Sequence, residues 1–101
     1  MRIPAHEKDA LLESCLKWLP HFMEQEAPNS KSAGEALDKA LILATIRASH
    51  DVYKRVPGEE EMQRSTSILA RKLNVFYSFV SGIVHSPAFM SSNGITTGGA
   101  S

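Results

Sequence analysis

The chain predicts an all-α protein: a long antiparallel helical hairpin with a kinked N-terminal helix laid against it, dimerising into a helical bundle. Three observations lead there. Met62, Thr66, Leu69, Leu73, Phe76, Val80 and Ile83 follow one another at spacings of four and three, the seam of an amphipathic helix facing another helix. Ile68, Val75 and Phe79 form a second apolar row on a different side of that helix, so one neighbour does not cover everything. Ala36, Ala40, Ala44 and Ala48 recur every four residues on another helix that is apolar round most of its circumference, as a helix buried by more than one neighbour would be.

Helix one is expected over residues 5–26. Pro4 suits its first turn, where a missing N–H costs least. Leu11, Leu12, Cys15, Leu16, Leu19, Phe22 and Met23 recur with helical period, while Glu7, Lys8, Glu13, Ser14 and Lys17 fill the other side. Pro20 interrupts this pattern without shifting its phase, which predicts a kink. Trp18 sits at the edge of the stripe.

Ala27-Pro28-Asn29-Ser30-Lys31 reads as a loop, and Ser32 with Glu35 has the spacing of a capping box, so helix two is expected over 33–55. Its alanine row has two explanations: alanine is the best helix former, or short side chains let another backbone come close. Ile42, Ile46 and Tyr53 occupy roughly the opposite face. Lys54 and Arg55 complement the helix dipole, and Pro57-Gly58 breaks the chain. Glu59, Glu60 and Glu61 mark the start of helix three, expected unbroken over 59–85; as a helix-start device on a solvated face they are assigned no chemistry. Two helices of roughly 35–40 Å joined by a short turn make the hairpin. Residues 1–88 form one helical domain on this reading, and 89–101, rich in Ser, Thr and Gly, form a flexible tail from which Phe89 and Met90 dock back or are offered to a partner.

Composition narrows the function. Eleven basic and eleven acidic residues cancel, which argues against strong attraction to nucleic acid or an acidic membrane. The most apolar stretch, Val75 to Val84, is about half the length a membrane span needs. The N-terminus is charged rather than apolar, so no secretory signal is read there and a cytoplasmic protein is expected. The single cysteine, Cys15, excludes an intramolecular disulfide and reads as a small buried hydrophobe.

No motif names a reaction. His6, His21, His50 and His85 contain no i,i+4 pair, and His21 with Glu24 is the reverse of the di-iron helix motif, with only Glu13 and Asp38 as further carboxylates on polar faces. His50 and Asp51 are adjacent and point about 100° apart on a helix. Gly94 and Gly98-Gly99 precede no helix that would make a phosphate loop. Neither a metal, a cofactor nor an enzymatic activity is expected.

By elimination the chain reads as a protein–protein interaction module: a small regulatory protein, an inhibitor, anti-activator or adaptor, that occludes a partner's surface and dimerises. The residues expected at the partner or dimer interface are Ile42, Ile46, Tyr53, Ile68, Val75, Tyr77 and Phe79, because together they exceed what one seam can bury. One alternative is a nucleic-acid-associated regulator using Arg47, Lys54, Arg55, Arg64, Arg71 and Lys72, against which stand Glu59 to Glu61 and the zero net charge. Another is a small-ligand pocket near Cys15, Trp18 and His21.

Overall fold

The computed structural model describes residues 2–92, which are all-α: no strand occurs among them. Helix α1 spans Ala5–Glu26, and a 3-10 turn at Ala27–Asn29 leads to α2, Ala33–Tyr53. A short α3, Glu59–Arg64, precedes α4, Ile68–Val84, and α5, Pro87–Ser92.

The apolar phase that runs across Pro20 keeps its helix: α1 continues through the proline to Glu26. Pro20 faces solvent, where water can serve the carbonyl it leaves unpaired. At the start of α2 the Ser32 side chain accepts from the Glu35 N–H at 3.1 Å, as the capping spacing predicts. The Glu35 carboxylate reaches back one residue further than expected, to the Lys31 N–H at 2.6 Å. That bond holds the Glu35 carboxyl below its ordinary range. Helix α2 ends two residues early because Lys54 turns left-handed (φ 59°) and its N–H closes on the His50 carbonyl. The Ser49 hydroxyl then donates to the Arg55 carbonyl at 2.6 Å, satisfying a buried polar group.

The single helix expected over 59–85 is corrected to two. Ser65 is left-handed (φ 49°) and closes α3, and Ser67 caps α4 by accepting from the Ala70 N–H at 3.0 Å. Three hydroxyl residues in a row, Ser65-Thr66-Ser67, offer the backbone alternatives to helical hydrogen bonding, and here they win. Thr66, placed in the apolar seam by its spacing, is exposed in the break. The corner is stitched from both sides. Asn74 Nδ2 donates to the Met62 carbonyl at 3.0 Å and to Ser65 Oγ at 2.9 Å. Glu61 receives Arg55 Nη2 at 2.9 Å on each oxygen, the Gly58 N–H at 3.3 Å, and the Ser67 hydroxyl.

Helices α1 and α2 run closest together. The start of α1 meets the end of α2 at Glu7 and Tyr53, and Trp18 further along meets Arg47, so the two are antiparallel. Ala36, Ala40, Ala44 and Ala48 are all buried. Ala44, Arg47, Ala48 and Asp51 share one helix face, and Arg47 and Asp51 both reach α1. The alanine row therefore sits in the close seam, which decides for short side chains admitting a neighbouring backbone. Opposite it lie Leu11, Cys15 and Leu19.

Helix α4 returns along α2. Asp38 near the start of α2 meets His85, just past α4, at 2.8 Å; Tyr53 at the end of α2 shares a hollow of about 200 Å³ with Leu69 and Lys72. Leu73, Phe76 and Val80 of the predicted seam are buried, Met62, Leu69 and Ile83 only partly, and Val84 takes the inner position at the helix end. Residues 89–92, expected in the tail, belong instead to α5, Pro87–Ser92, and Phe89 is half-buried against the core. The remainder of the expected tail lies outside the described residues.

Candidate functional site

Two polar clusters tie the helices together, and both join residues far apart in sequence. At the first, Glu7 Oε1 accepts from Lys72 Nζ at 2.7 Å and from the Tyr53 hydroxyl at 2.8 Å, linking α1, α4 and α2 at one end of the molecule. The Lys72 bond, then the tyrosine, keeps the Glu7 carboxyl below its ordinary range, while burial and that carboxylate push the Tyr53 phenol up. Lys72 also stands 5.6 Å from the Tyr53 ring centroid. At the second, Asp51 accepts from the Ser14 hydroxyl at 2.7 Å and Trp18 Nε1 at 3.1 Å, with Arg47 Nε at 3.4 Å. The serine bond is the main reason its carboxyl lies below the ordinary range. Arg47 stacks on Trp18 at 4.4 Å, which accounts for the half-buried indole. His50 Nδ1 stays 3.8 Å from Asp51, too far for a hydrogen bond.

These clusters hold the fold. Glu7, Tyr53 and Lys72 engage one another at the first, and Ser14, Trp18 and Asp51 at the second, so each carboxylate is spent on joining helices. Cys15 is fully buried, and burial pushes its thiol up to about 11, so it is neither a thiolate nor accessible at neutral pH. His21 and Glu24 are both exposed; His21 stacks edge-on against Trp18 and Phe22. Among the described residues, no three His, Cys, Asp or Glu side chains group to hold a metal. No helix of the described residues is long and apolar enough to cross a membrane.

Each residue of the possible basic strip has a partner within the chain. Arg47 faces Asp51, Arg55 faces Glu61, Arg64 faces Glu60 at 3.5 Å and Lys72 faces Glu7. Lys54 Nζ donates to the Asp51 carbonyl and Arg71 Nε to that of Ser65.

What the interior leaves outside is apolar. Of the residues expected at an interface, Ile42 (50%), Ile46 (43%), Ile68 (62%), Val75 (39%) and Phe79 (38%) are exposed. Tyr53 and Tyr77 instead pack half-buried against the core. No protein-family model, curated protein or solved structure matches this chain.

The exposed residues form two faces, not one. Ile68, Lys72, Val75 and Phe79 are one row of α4 by their spacing, and that row looks toward α1: Lys72 binds Glu7, and Lys8 Nζ lies 4.6 Å from the Phe79 centroid. Ile42 instead follows Asp38 by one turn, on the side of α2 that meets the end of α4, with Ile46 one turn further on. Periodicity found these residues but not their division, because the division depends on where α1 lies. Val56 is exposed too and was invisible to periodicity, being a lone apolar residue in the turn before Pro57.

Proposed function

We propose that this chain is a non-catalytic protein-binding module, a small regulator that occludes a partner's surface as an inhibitor, anti-activator or adaptor would. One observation carries the reading: aliphatic and aromatic side chains stand exposed in rows on α2 and α4, although the inner faces of both helices are already filled. Such rows are the anchors by which helices recognise other proteins. The antiparallel pair of α2 and α4 is the scaffold. The α4 row is the partner face, and Ile42 with Ile46 joins two copies into a homodimer.

The test is affinity capture from nuclease-treated native lysate, with tagged wild type and Phe79→Glu in parallel. One stoichiometric protein retained by wild type and missing from the variant is the expected result. Equal capture by both, or material released only by nuclease, overturns the reading. Self-association is read separately by sedimentation: wild type is expected as a dimer, Ile46→Glu as a folded monomer. Wild type that stays monomeric at high concentration removes the dimer.

A further inference from the structure

We propose that the groove between the first turns of α1 and the outer flank of α4 docks an acidic amphipathic helix of the partner protein. The proposal rests on the protein-binding reading above and adds the chemistry of the partner.

The floor comes first. Ile68, Val75 and Phe79 lie along about 16 Å of α4, the length of three helical turns. Their i, i+7, i+11 spacing keeps them on one side of α4, a strip long enough for about three turns of an amphipathic helix to lie along. The row does not end at Phe79. Lys8, stacked on its ring, also lines an open hollow of about 450 Å³ with Arg2, Ile3, Pro4 and Ala5, so a recess at the start of α1 adjoins the row through Lys8.

Charge then selects the occupant. Every acidic residue of the chain lies at or before Glu61, while Arg64, Arg71 and Lys72 follow it, so α4 carries two cations and no carboxylate. The groove is rimmed by Arg2 and Lys8 from the α1 side and by Arg71 from α4, while Lys72 is already paired with Glu7. The acid facing it, Glu7, is taken up by Lys72 and Tyr53. Asp9 follows Lys8 in α1, and Glu61, whose carboxylate takes the Ser67 hydroxyl beside Ile68, is paired with Arg55. A second copy docking by the same face would set Arg71 and Lys8 against their like. A nucleic acid would satisfy the cations and leave the apolar floor in water. A helix with one apolar face flanked by Glu and Asp meets both requirements, and its rim charges set the choice of partner.

The probes are two fluorescein-labelled, stapled helical peptides with the same leucine row, flanked by glutamates in one and by lysines in the other, titrated against the full chain by anisotropy. The glutamate peptide is expected to bind about tenfold or more tighter than the lysine peptide, with the order reversed in the Lys8→Glu/Arg71→Glu double variant. Val75→Ser is expected to weaken the glutamate peptide while leaving the thermal midpoint unchanged. Equal affinities, a preference for lysine, indifference to Val75→Ser, tighter binding of a DNA duplex, or no binding of either peptide each overturns the proposal. If neither peptide binds but the lysate still yields a protein lost in Phe79→Glu, the acidic-helix chemistry is wrong and the protein-binding reading stands.

Discussion

Helices α2 and α4 bury themselves in different ways. Helix α2 is wedged between two neighbours and hides alanines toward one of them: Ala36, Ala40, Ala44 and Ala48 let α1 come close. Helix α4 packs from one side with large residues, Leu73, Phe76, Val80 and Val84, and stands further off. The first seam is tight because it is built from small side chains, the second because big ones fill the gap. The difference also explains the surface. Helix α1 reaches α4 only through its first turns, at Glu7 and Lys8, so much of the flank carrying Ile68, Val75 and Phe79 stays exposed.

Emptying the wide seam is expected to cost most. Phe76→Ala removes the largest fully buried side chain and should lower unfolding free energy by about 3–5 kcal/mol in urea titrations. A loss below about 1 kcal/mol would mean that α4 is not held by this packing. Filling the narrow seam ranks second. Ala44→Leu should destabilise by about 1–3 kcal/mol, since α1 cannot retreat without opening the Leu11, Cys15 and Leu19 contacts. Neutral or stabilising behaviour there would show that the alanine row is only a helix-forming preference.

The polar ties at the ends of the seams predict an acid limb. Glu7, Asp51 and Glu61 are held below their ordinary values of 4.5, 3.8 and 4.5 by the hydrogen bonds of Lys72, Ser14 and Ser67. Above those ordinary values their contribution is complete. As pH falls toward the lower folded values the unfolded chain takes up protons first, and stability is lost. Denaturation midpoints should therefore be flat near neutrality and fall below pH about 4.5, with a shallower fall in Glu7→Gln. An unchanged slope in that variant would place the acid sensitivity elsewhere. Smallest of all should be the effect of Val75→Ser on folding, within about 0.5 kcal/mol, because this residue faces outward. A large loss would return Val75 to the core and weaken the case for an α4 binding face.

Much of the architecture was legible in residue spacing. The apolar rows of α1 and α2 have a period no strand can satisfy, and Ser32 with Pro57-Gly58 brackets α2 to within two residues. The break at Ser65–Ser67 escaped because the apolar phase of 62–83 continues across it, and a hydroxyl run has no period of its own. Ile42, Ile46, Ile68, Val75 and Phe79 were found for a similar reason: helical spacing reports which side of a helix is apolar. It does not report how many neighbours that helix has, so Tyr53 and Tyr77 looked equally available and are half-buried.

By itself, then, the sequence determined that the chain is helical, where α1 and α2 begin and end to within two residues, and that its apolar surface exceeds a single seam. These are local matters of capping, periodicity and propensity, settled within a few turns of chain. Only the tertiary structure decided which seam the alanines fill, which apolar residues stay outside, and that Glu7 meets Tyr53 and Lys72 while Asp51 meets Ser14 and Trp18. Those pairings join residues more than thirty positions apart. They depend on the order in which three helices pack, which no local spacing encodes.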